Sequence, residues 1–132
     1  MSYRGAAVLQ AAIHARLAAA PSLAGVAIVD ALPSGPVPET YLLVGPEEVR
    51  DASDKSGPGA EHRIVLSVIS EATGFLSAKE LGADVCEVLD GASLSLSQGR
   101  AVSVRFLRAV ARRLEAGSVR RIDLTFRIRL DW

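Results

Sequence analysis

Between Arg121 and Leu130 the sequence alternates without a break. Ile122, Leu124, Phe126, Ile128 and Leu130 share one parity, and Arg121, Asp123, Thr125, Arg127 and Arg129 share the other. A two-residue period fits a strand with one face on a core and the other in water, and it does not fit a helix. Such a strand needs neighbours and a cover, which commits the chain to a half-buried antiparallel sheet. Its partner precedes it: Val102, Val104 and Phe106 share one parity, whereas Leu107, Ala109 and Ala111 share the other. The slip at Phe106-Leu107 predicts a bulge or sharp twist, and Ala116-Gly117-Ser118 supplies the turn. A long C-terminal β-hairpin follows.

The cover comes from two helices. Leu9, Ile13 and Leu17 recur at four-residue spacing in an alanine-rich stretch, so a helix is expected from about Tyr3 to Ala20, capped by Ser2 and stopped by Pro21. A second helix carries Leu81, Val85, Val88 and Leu89 as its apolar stripe. Ser77 and Glu80 form a capping-box pattern, Leu76 and Leu81 stand at staple positions, and Gly91 serves as a left-handed stop. Short strands are expected at 26–29, 41–44 and around Leu94 and Leu96. The β-branched run His62 to Ser70, apolar on both faces, reads as a central strand. Residues 46–60, opening on Pro46 and containing Ser56-Gly57-Pro58-Gly59, lack apolar periodicity and read as a long polar loop. The expected fold is α+β: an antiparallel sheet with two helices packed on one face and the long hairpin at the end.

Length and charge bound the possible roles. The 132 residues suit a single domain over 1–132, and with 49% hydrophobic residues it can bury a core. Formal net charge is zero, which argues against a module built to grip nucleic acid. One cysteine, Cys86, can form neither an internal disulfide nor a cysteine-based zinc site, and it points to a reducing compartment. The apolar stretches are short and interrupted, and no secretory signal opens the chain, so a soluble cytoplasmic protein is expected, not a membrane one.

The neutral total conceals segregation. From Glu39 to Glu61 six carboxylates (Glu39, Glu47, Glu48, Asp51, Asp54, Glu61) face only Arg50 and Lys55; from Arg100 onward nine arginines face Glu115, Asp123 and Asp131. Opposite patches suit head-to-tail contact between copies, and pairing within one chain or plain solvation would serve the pattern equally well.

Catalytic signatures are missing from the sequence. Neither His14 nor His62 has a thiol or carboxylate at ligand spacing, Cys86 sits among helical apolar residues, and Ser56-Gly57-Pro58-Gly59 lacks the Gly-Lys-Ser/Thr ending of a phosphate loop. Ser93, Ser95 and Ser97 alternate with Leu94 and Leu96 without forming a nucleophile elbow. No enzyme activity, cofactor or metal is expected.

The order of segments resembles the tail terminator (tail-completion) proteins of long-tailed phages and phage-like gene transfer agents. The likeness runs through the Leu9-Ile13-Leu17 helix, the segment Pro38 to Gly45, the polar loop, the strand His62 to Ser70, Gly74 leading into the second helix, and the closing strand pair ending at Trp132. The resemblance implies a homo-hexameric ring that caps the tail tube, ends its polymerisation and joins the head connector around a channel for DNA, bound without sequence preference. It also implies assembly in the bacterial cytoplasm, then a place at the head-proximal end of the released particle. A stopper or tube ring protein, or a small ligand-binding domain, remain the other readings. Charge and periodicity place Glu47, Glu48, Asp51 and Asp54 at a contact with a neighbour, the tube or the connector. They place Arg121, Asp123, Arg127 and Arg129 at subunit contacts or the channel wall.

Overall fold

The computed structural model describes residues 3–32, 34–36, 38–72 and 74–132. Within them the order is α1 (Gly5–Ala19), β1 (Ala27–Val29), β2 (Thr40–Asp51), β3 (Gly59–Ser70), α2 (Leu76–Leu89), β4 (Arg100–Leu114) and β5 (Val119–Asp131). The five strands form one open sheet in the order β1-β2-β3-β5-β4, antiparallel throughout except where β1 runs parallel to β2. The sheet is therefore mixed, and β3, the β-branched strand, lies at its centre as its two-faced apolar pattern predicts.

Both helices cover the same face. Leu9, Ile13 and Leu17 of α1 and Leu81, Val85 and Leu89 of α2 pack with Leu42, Val44, Leu66, Val68, Leu124, Phe126 and Ile128 in one apolar layer. Phe126 is fully buried and carries the largest of these side chains. Among the described residues the opposite face buries a small cluster of Tyr41, Ile69 and Val119. Elsewhere it is mainly polar and charged, so the alternation read along β5 becomes the division between core and solvent.

Three local expectations are corrected. The polar loop expected over 46–60 is strand for most of its length: β2 continues to Asp51 and β3 starts at Gly59. The ladder shifts register between Gly45 and Glu47, and this irregularity takes up Pro46, which has no N–H to offer a regular ladder. Only the hairpin tip turns. Asp54 and Gly57 bond to each other through their backbones, and Asp54 Oδ1 accepts from Ser56 N at 2.9 Å and Ser56 Oγ at 2.6 Å.

The capping box of α2 is not made. The helix starts at Leu76, Phe75 holds the cap position without a side-chain hydrogen bond, and Leu76 is 72% exposed. Ser77 therefore lies inside the first turn, where its hydroxyl cannot cap. Gly91 does provide the stop at φ 73°, and its N–H donates to Val104 O at 2.8 Å. Leu94 and Leu96 pack half-buried against the core, but their segment joins no strand ladder. In α1 the N-cap position falls to Arg4, without a side-chain cap, and Ser2 lies outside the described residues. The slip at Phe106-Leu107 is a bulge in β4, between Phe106 and Arg108, with a second irregularity between Ala101 and Ser103.

Candidate functional site

The uncovered face of the sheet gathers a dense set of charges, because strand register stacks residues of one parity side by side. Arg127 of β5 lies opposite Arg63 of β3 on one side and Arg105 of β4 on the other. Three guanidinium-bearing residues thus form one row across adjacent strands. Two registers along, Asp123 lies between Ser67 and Val110. It accepts from Ser67 Oγ at 2.7 Å, from Arg121 Nε at 2.8 Å and from Arg112 at 3.3 Å. Burial alone would push the Asp123 carboxyl up; the hydrogen bonds from Arg121 and Ser67 and the charges of Arg121 and Arg112 outweigh it and hold it below the usual range.

Other charges on this face are also paired. Arg129 meets Asp131 at 3.2 Å and Asp54 at 3.5 Å, and Arg63 meets Glu61 at 2.9 Å. The hydrogen bond from Arg63 lowers the Glu61 carboxyl against a smaller opposing effect of burial. Among the described residues, Arg105, Arg108 and Arg127 are exposed and have no carboxylate within 4.0 Å.

The acidic residues expected to act together are divided by the β2–β3 hairpin. Glu48 points to the charged face and pairs with Arg50 at 2.5 Å. Asp51 accepts from Ser53 Oγ at 2.8 Å, and Asp54 shapes the hairpin tip and reaches Arg129. Glu47, across the bulge, points to the helix-covered face, where Oε2 lies 3.1 Å from Nδ1 of the fully buried His62. The structure thus unites Arg121 with Asp123, and Arg129 with Asp54, and separates Glu47 from the rest. Sequence reasoning missed Arg63 and Arg105, which only register could place beside Arg127. It also missed Glu80, Asp84 and Glu87 on the outer side of α2, although their i, i+4, i+7 spacing could have shown them.

Concavities offer little chemistry. One of about 820 Å³ lies between α1 and β1 and presents Gln10, His14 and Asp30, with Gln10 donating to Asp30 at 3.2 Å. Among the described residues no group of three or more His, Cys, Asp or Glu side chains could hold a metal ion. Burial, then the charges of Asp90 and Glu87, push the Cys86 thiol up, away from the reactive thiolate. No described helix is long and apolar enough to cross a membrane. What this molecule presents is a surface: an arginine-rich sheet face with ordered ion pairs and a row of arginines of which Arg127 and Arg105 have no carboxylate within 4.0 Å among the described residues.

Comparison with known proteins gives that surface a setting. A family model described as tail completion protein gp17 matches residues 11–131. A chain in the solved structure "Virion of native gene transfer agent (GTA) particle" is 51% identical, with a TM-score of 0.92, covering 99% of this chain and 100% of that one. No curated protein sequence matches.

Proposed function

Because the chain belongs to the tail completion protein gp17 family, we propose that it is a structural component of a phage-like tail, built into the particle and acting without covalent chemistry. In this reading copies associate as a hexameric ring at the head-proximal end of the tail tube. The ring ends tube polymerisation and offers the surface on which the head connector docks, leaving an axial channel for DNA. Assembly would take place in the bacterial cytoplasm, before the particle is released.

The observation that carries the reading is the near-complete, 51% identical match to a chain of a gene transfer agent virion. The architecture supports it. A closed ring needs two different patches per subunit that meet head to tail, and this fold has one charged sheet face opposite a helical face. We place Arg121, Asp123, Arg127 and Arg129 at subunit contacts or the channel wall. Asp51 and Asp54, at the tip of the β2–β3 hairpin, and Glu48, farther back on its strand opposite Arg63, are assigned to the contact with a neighbour, the tube or the connector. Many modest contacts repeated around a ring add up to a stable assembly.

Electron microscopy of particles from a strain lacking this protein tests the proposal. Tails of uncontrolled length, or tails that fail to join heads, are expected. A complete absence of tails would instead mark a tube subunit, and normal particles would exclude any role in tail completion.

A further inference from the structure

We propose that the row Arg63-Arg127-Arg105 of one copy receives the α2 carboxylates Glu80, Asp84 and Glu87 of the next copy, an inference that rests on the ring reading above. Adjacent strands put these arginines directly opposite one another, and like charges in that arrangement destabilise a sheet. Arg63 has Glu61 beside it and Glu48 opposite it on β2, but Arg127 and Arg105 have no carboxylate within 4.0 Å among the described residues. The row is thus a surface whose charge balance is incomplete within one chain.

The complement lies on the other side of the same molecule. Leu81, Val85 and Leu89 anchor α2 on the core, and this rotation turns Glu80 and Glu87 outward and leaves Asp84 half-buried on the flank. None of the three has a cation within 4.0 Å among the described residues. Because the sheet stands between them, the stripe and the row cannot meet within one chain. They can meet between chains.

Their dimensions agree. Seven residues of helix separate Glu80 from Glu87, about 10 Å at the helical rise. Two strand spacings separate Arg63 from Arg105, also about 10 Å. A helix laid across the strands would set three carboxylates over three guanidiniums, the geometry in which Arg pairs best. The contact joins two unlike faces, so it propagates head to tail and can close by rotation. The α2 stripe offers three carboxylates at a spacing that matches the row, so a second copy of the chain is the occupant that the charges and dimensions favour.

The test uses two full-length variants: Glu80→Lys/Asp84→Lys/Glu87→Lys, and Arg105→Glu/Arg127→Glu. None of the substituted residues belongs to the buried core, so circular dichroism and melting should remain near wild type. Each variant alone should lose ring formation, with self-association weakened roughly tenfold or more by sedimentation. A one-to-one mixture should regain it, because alternating copies match Lys with Glu and Glu with Arg, and a six-membered ring can alternate. Rings formed equally well by each variant would overturn this contact and leave the ring reading intact. Variants that form rings but yield particles unable to hold or pass DNA would overturn it in favour of a channel wall. Failure of the wild type to form rings, both free and on isolated tails, would overturn the ring reading and this inference together.

Discussion

His62 and Glu47 meet across β3 and β2 on the core side of the sheet, with Nδ1 3.1 Å from Oε2 and the imidazole fully buried. The carboxylate accepts from the ring, while Nε2 is buried and has no hydrogen-bond partner among the described residues. Glu47→Ala would strand the Nδ1 donor and is expected to cost about 1–3 kcal/mol. Glu47→Gln keeps an acceptor and should cost clearly less. Urea unfolding of both variants checks this; equal midpoints would mean that the hydrogen bond contributes nothing.

Asp123 makes stability depend on acid. Its carboxyl titrates below its usual value of 3.8 in the folded chain, so ionisation favours folding at higher pH. The contribution is fully present above about pH 4 and is lost as the pH falls through the lower folded value. Wild type should therefore exceed Asp123→Asn in stability at neutral pH, and the two curves should converge in acid. Parallel curves down to pH 2 would contradict the assignment.

Two glycines with the same backbone angle should respond differently to alanine. Gly91 and Gly99 both sit at φ 73°, but a Cβ on Gly91 meets nothing within 4 Å, whereas one on Gly99 meets the Trp132 ring at 2.5 Å and Asp131 O at 2.9 Å. Gly91→Ala is expected to cost about 1 kcal/mol, the strain of a left-handed alanine. Gly99→Ala should cost more and should change the fluorescence of Trp132. Similar melting temperatures for the two variants would refute the difference.

Phe126 and Phe106 stack edge to face, with centroids 5.9 Å apart. Phe126 is fully buried and Phe106 is 38% exposed. Phe126→Ala should cost about 3–5 kcal/mol, and Phe106→Ala distinctly less. Chemical denaturation measures both, and a larger loss at Phe106 would place the core wrongly.

Trypsin should nick the isolated chain first after Lys55, which is exposed in the hairpin tip. Arg50 and Arg63 lie within paired strands and should resist. Equally rapid cleavage after Arg50 would show that residues 46–51 do not hold their strand.

The sequence made β5 legible because five buried side chains in strict alternation admit one local conformation. It left β2 half read. Beyond Val44 the strand passes out from under the helices, so Glu47 to Asp51 lack the apolar partners that give a strand its signature, and Pro46 looks like a terminator until the bulge accommodates it. The charged face was legible as a stripe on one strand only. Its lateral neighbours, Arg63 and Arg105, come from segments distant in sequence, and no local pattern reports register between them. The capping box failed for a related reason: where α2 begins is set by its docking and by Gly74 at φ 74°, not by the serine that could have capped it.

The central β3–β5 ladder also bears on how the chain reaches this structure. β2 with β3, and β4 with β5, are hairpins that can close locally, whereas β3 and β5 join over twelve pairs only after α2 and β4 have been spanned. Closing that long loop has an entropic cost that local turns do not share. Substitutions along β3–β5, more than those in either turn, are therefore expected to set the folding rate.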